Sequence, residues 1–372
     1  MKKLLILLAV ILLAALMNFT VFADDDYYSD IYEQSGADDL KYSLPDEARQ
    51  FFDERNIDIS DYNWVNSLKT ENIFSHIFSF LKSGGRAPFK AGFTLIGIIL
   101  ATAAVRAFWS GKDIDAAIKF AITLAACGVL IYGIWGSINT AVNAIKGTGT
   151  FMLAFVPVYM GIVSVSGAPV SAAASGGMLL AAAEFVSSTA AFFITSLMGA
   201  YLGLSISAGV SPLKSGGFAE VLKKTGVWFM TLCTTVFLGL LGVKNAVNSA
   251  VDSLSLRTAK FIIGTCVPVV GTALSGAVNT VSTSLSVMKS SVGVYGVVAL
   301  SLLILPVVAE ILMWRLVLNV FAALCTLFSI DETSKLFKAV DGMLAFLLGA
   351  VLLIAAAFII SVSVTVSAGK NL

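Results

Sequence analysis

Beyond residue 88 this chain nearly runs out of carboxylates. Residues 89–372 hold nine, at Asp113, Asp115, Glu184, Glu220, Asp252, Glu310, Asp331, Glu332 and Asp341, set between long apolar runs. A soluble domain carries about 25% charged residues, whereas this chain has 13% charged and 58% hydrophobic residues. Within hydrocarbon no water satisfies backbone N–H and C=O groups, so runs of this length must close their hydrogen bonds internally as helices. The sequence therefore predicts an all-α, polytopic membrane protein.

The remaining 14 acids crowd into residues 24–88 against six Lys or Arg. Ahead of them, Lys2 and Lys3 precede an apolar run from Leu4 to Phe19, and Val21-Phe22-Ala23 offers small residues at the −3 and −1 positions of a cleavage site. That order predicts a signal peptide over 1–23, cut after Ala23, and an acidic extracytoplasmic segment over 24–88. Its stretch SLPDEARQFFDERNIDISDYNWVNSLKTENIFSHIFSFLK reads as short amphipathic helices, with Pro45 opening one. Phe51, Phe52 and Trp64 lie on its apolar stripes, where they either dock an extracytoplasmic partner or pack the segment's own core. Residues 24–39, with few apolar side chains, read as flexible. Ser83-Gly84-Gly85 forms a joint before the membrane domain, 89–372.

Phe89 to Trp109 is long enough to cross a bilayer core of about 30 Å. Gly111 to Lys119 reads as a polar connection, Phe120 to Gly136 as a second run and Asn139 to Thr150 as a polar loop. Beyond it, residues 151–210 are apolar but punctuated by Pro157, Pro169 and many glycines.

The body also carries signs of duplication. Thr123-Leu124, Ala141 to Asn143, Val156 to Val158 and Ala183-Glu184 recur in order as Thr231-Leu232, Ala246 to Asn248, Val267 to Val269 and Ala309-Glu310. This suggests repeats over about 112–210 and 218–330, followed by a final span over about 343–366. A lysine-bearing segment leads into a span three times, as DIDAAIKFAITL, FAEVLKKTGVWF and ETSKLFKAVDGML. If the three share a face, an even number of crossings separates consecutive copies, so each proline-containing stretch is two extra spans or one re-entrant hairpin. The total is six spans plus two hairpins, or up to ten. Lys214, Lys223, Lys224, Lys335 and Lys338 favour a cytoplasmic position for that face.

The missing chemistry narrows function. His76 is the only histidine, and no GxxxxGK[ST], GxSxG or HExxH occurs, so nucleotide-driven and hydrolytic catalysis lack their groups. No catalytic, cofactor-binding or metal-binding residue is expected. Cys127, Cys233, Cys266 and Cys325 lie in apolar surroundings without a CxxC pair and read as small buried hydrophobes. A net charge of +1, averaged over two unlike regions, gives no sign of nucleic acid as a partner.

Intramembrane candidates are Glu184, Glu310, Arg315, Pro157 and Pro268. Ionisable groups in a bilayer mark a polar pathway or lie near helix ends with their charges at the interface. Glu310 and Arg315, five residues apart, point about 140° apart on a helix, which disfavours a direct pair. Pro157 and Pro268 lie in Gly, Ser and Thr rich surroundings, as in the interrupted helices of transporters or in ordinary packed kinks.

The leader MKKLLILLAVILLAALMNFTVFA, the segment LPDEARQFFDERNIDI with Trp64 downstream, FVPVYMGIVSVSGAP and TCVPVVGTALSGAVNTVSTSL together resemble the stage III sporulation protein AE family of spore-forming bacteria. The resemblance spans essentially the whole chain. It implies a membrane-embedded structural or export-platform subunit of the channel joining mother cell and forespore, required for forespore development. It also implies other membrane subunits and a separate cytoplasmic ATPase as partners, a place in the mother-cell membrane around the forespore, and no catalytic residues. The alternative, drawn from the apparent duplication and the broken segments, is a secondary transporter for a small solute.

Overall fold

The computed structural model describes residues 37, 40, 42–44, 46–54, 84–108, 112–165, 169–210, 217–239 apart from 219 and 238, and 271–368. Among these every regular element is helical. A short helix α1 (Asp46–Asp53) is followed by α2 (Arg86–Phe108), α3 (Lys112–Val165), α4 (Pro169–Val210), α5 (Gly271–Leu327) and α6 (Asp331–Ala368). Residues 220–237 are also helical. Within α2 to α6 lie five stretches long and apolar enough to cross a membrane. The leader, Trp64 and Pro268 lie outside the described residues.

Two features differ from the sequence reading. The expected polar connection before Phe120 is the first turns of α3, and the expected loop over Asn139 to Thr150 is its middle. The polar residues there do not leave the helix because their hydroxyls turn back on it: Thr140 donates to the Gly136 carbonyl, Thr148 to Ala144 and Thr150 to Lys146. The second difference follows from the first. Residues 151–165 continue α3 and residues 169–188 begin α4, so where separate spans or a re-entrant hairpin were expected this proline-containing stretch is the tip of one long antiparallel pair of helices. With 54 residues, α3 is about 81 Å long, against about 30 Å for a bilayer core.

Close contacts fix the helix directions. Gly149 of α3 meets Ser187 of α4, Gly176 meets Met160 and Gly199 meets Trp135, so α3 and α4 run antiparallel. Gly133, Gly147 and Phe155 of α3 meet Trp314, Leu303 and Gly296 of α5 in the same antiparallel sense. The Thr123 and Thr333 hydroxyls, 2.9 Å apart, join α3 to α6. Gly226 packs on Leu197 and Phe346, and Phe237 on Phe358, so helix 220–237 runs parallel to α6 on the α4 side of the bundle. α2 descends beside α5, with Gly84 against Glu310 and Gly92 against Val317 and Phe321. The three lysine-bearing segments thus begin helices that point in one direction.

Two hairpins, α3–α4 and α5–α6, therefore face one another. The second is central: 72% of the span window is buried in α5 and in α6, against 28%, 33% and 39% in α2, α3 and α4. Its turn has a defined chemistry. Ser329 takes a φ of 57°, Ile330 N–H donates to the Cys325 carbonyl and Ser329 N–H to Thr326, and the Ile330 side chain is buried. This double hydrogen bond satisfies carbonyls that the end of α5 would leave open. Asp331 and Glu332 then occupy the first turn of α6, where carboxylates complement the helix dipole.

Candidate functional site

Several polar side chains inside the bundle pair across helices. Where α3 and α5 cross, Gly133 and Ser137, one turn apart, face Trp314 and Glu310, also one turn apart. A Cβ at Gly133 would come within 2.5 Å of the Trp314 ring, so only glycine lets the buried indole approach α3 this closely. Beside it the Ser137 hydroxyl donates to the Glu310 carboxylate. Gly84, at the approach to α2, completes the junction: a Cβ there would lie 3.1 Å from the backbone nitrogen of Glu310.

Arg315 turns the other way. Its Nε donates to Asp341 Oδ1 at 2.7 Å and its Nη2 to Oδ2 at 3.2 Å, a two-point pair that ties α5 to α6. The pair is largely shielded, with side chains 11% and 19% exposed. A planar guanidinium matched to a carboxylate in this way has directional strength that an ammonium lacks. Nearer the turn, the Ser334 hydroxyl donates to the Ala322 carbonyl and lies 3.1 Å from the Thr326 hydroxyl.

The sequence candidates are thus divided among separate places. Glu310 and Arg315 do not pair with each other, as their angular separation predicted, and each is held by a different neighbouring helix. Glu184 faces outward on α4, where it accepts the Ser188 hydroxyl at 2.8 Å, and it does not meet Glu310. Pro157 lies inside continuous α3 rather than at an interruption, with its ring on the outer face. It removes one helical hydrogen bond without breaking the helix. A second internal proline, Pro306 in α5, went unremarked in the sequence.

Phe51 and Phe52 are buried, and Phe52 packs on Tyr295 of α5 with ring centroids 4.6 Å apart. Both rings are thus covered within the chain, with Phe52 seated on the membrane body rather than in a core of the segment's own. Arg49 holds the preceding turn in place by donating to the carbonyls of Tyr42 and Leu44.

Sequence reasoning missed Ser137, Trp314 and Asp341. Asp341 left a usable trace, because it stands about as far beyond the turn at 328–330 as Arg315 stands before it, where a helical hairpin brings residues together. Ser137 and Trp314 left none, since their pairing depends on how the two hairpins dock. Among the described residues no three His, Cys, Asp or Glu side chains converge as a metal centre requires.

Long apolar helices joined by buried polar contacts define a multi-pass helical membrane protein. The family model described as stage III sporulation protein AE matches residues 63–369, and the chain belongs to that family. It is similar to a stage III sporulation protein AE of Bacillus subtilis (strain 168), with 26% identity over 239 residues. That match covers 63% of this chain and 59% of the relative. No solved structure matches.

Proposed function

We propose that this chain is a structural subunit of the channel that joins mother cell and forespore, embedded in the mother-cell membrane and required for forespore development. The family match across residues 63–369 carries the reading. The architecture agrees with it, because among the described residues Ser137 with Glu310, Arg315 with Asp341 and Thr123 with Thr333 join helices to one another. Other membrane subunits and a separate cytoplasmic ATPase are its partners in this reading, and the lysine-bearing helix starts face the cytoplasm. The end that carries α1 then faces the space between the two membranes, as a cleaved leader requires. The apparent duplication belongs to the same reading, with α3 and α4 as one copy and helix 220–237 with α5 as the other.

The test is genetic and biochemical together. Loss of the chain should abolish late forespore gene expression, and the chain should co-purify from sporulating cells with other membrane subunits and an ATPase. Transport of a defined solute by the purified chain alone in liposomes would instead establish a transporter. Against that alternative, Pro157 sits within an unbroken helix, without the unwound backbone that such solute sites use, while Pro268 lies outside the described residues.

A further inference from the structure

Glu310 stands where three helices meet, and all three contacts are made within one turn of it. Gly84 rests on its backbone, Ser137 donates to its carboxylate, and Trp314, one turn further along α5, fills the space left by Gly133. The backbone contact is the rigid one. A Cβ at residue 84 would meet the Glu310 nitrogen at 3.1 Å and Cα at 3.3 Å, atoms that cannot swing aside as the end of a flexible side chain can. The approach to the first span and the seam between the two hairpins therefore share one residue.

The N-terminal segment touches the same helix at a second point. Phe52 packs on Tyr295, fifteen residues before Glu310 and so about 22 Å away along α5. Both described ends of the segment are thus seated on α5, the central helix of the bundle.

The geometry points to Glu310 as a positioning residue that couples the N-terminal segment to the seam between the two hairpins. Displacing α2 at Gly84 shifts the Glu310 backbone and weakens the Ser137 hydrogen bond, and releasing Ser137 loosens the seat of Gly84. The coupling is reciprocal, as any linkage between two contacts with one residue must be. It gives a partner that moves the segment a mechanical route to the docking of one hairpin on the other. The inference stands on the junction alone and does not depend on the sporulation reading.

A double-mutant cycle on the purified full-length chain in nanodiscs tests it. Gly84→Ala should lower the unfolding temperature, and Ser137→Ala should then cost less than half of what it costs in the wild-type background. Gly97→Ala, at a position with open space around it, should leave the cost of Ser137→Ala unchanged. An equal cost of Ser137→Ala in the wild-type and Gly84→Ala backgrounds overturns the proposal. Should Gly84→Ala fail to fold, Ser137→Ala alone decides the matter by hydrogen exchange. Faster exchange at the Phe89 amide, which bonds to the Gly85 carbonyl at the start of α2, supports the coupling, and an unchanged rate refutes it.

Discussion

Buried polar side chains among the described residues are answered across helices, as Ser137 is by Glu310, or by a carbonyl one turn back on their own helix, as Thr148 is by Ala144, but two are not. The Tyr159 hydroxyl and the Trp314 indole nitrogen are buried without a hydrogen-bond partner. A buried hydroxyl in that condition costs about 1–3 kcal/mol. Tyr159→Phe should therefore leave thermal stability unchanged or raise it, and a clear drop in unfolding temperature would mean that the hydroxyl has a partner. The Arg315–Asp341 pair should behave in the opposite way. Removing either partner strands the other charge within the bundle, at a cost of about 3 kcal/mol. The double variant Arg315→Leu, Asp341→Leu should be less destabilised than the sum of the two single variants, as measured by denaturant unfolding in detergent. That these residues are ionic was plain in the sequence. Which acid serves which base was not, because Glu310 is nearer to Arg315 along the chain but lies on another side of α5.

At the scale of elements, helix existence was legible and helix ends were not. Apolar runs announced the spans, but Thr140, Thr148 and Thr150 looked like loop residues until their hydroxyls were seen bonded to carbonyls four residues back. A threonine that satisfies itself in this way can stay within a helix at slight cost, and polarity alone does not reveal it. The turn between α5 and α6 was legible only as a boundary. Its left-handed position is filled by Ser329, where glycine would carry no Cβ penalty. Ser329→Gly should stabilise the hairpin by about 1 kcal/mol, read as a rise in unfolding temperature, whereas Ser329→Val should lower it.

For the whole molecule, the consequence of the docking pattern is that α1 and the approach to α2 both rest on α5, to which the hairpins are also joined. Phe52→Ala removes a buried ring and should cost about 3 kcal/mol locally. Limited proteolysis of reconstituted protein should then cut the segment around α1 faster while leaving α3 to α6 intact, and unchanged cleavage would show that the contact with Tyr295 contributes little. Topology follows from helix direction. With the chain expressed in the plasma membrane of non-sporulating cells, a membrane-impermeant maleimide added outside should label Gln50→Cys but neither Lys224→Cys nor Lys338→Cys, since the last two lie at the starts of helices that run the same way. Labelling of Gln50→Cys together with only one of those two would overturn the shared face.

The all-helical membrane class was present in the amino-acid order, because the hydrophobic effect and backbone satisfaction in lipid depend on local runs of residues that can be read one stretch at a time. The lengths of α3 and α4, the pairing of Arg315 with Asp341, the inward burial of Phe51 and Phe52 and the junction at Glu310 all waited on packing. Each depends on which helix faces which and at what register. That choice is made by glycines at close approaches such as Gly84, Gly133 and Gly149, whose partners lie tens or hundreds of residues away along the chain.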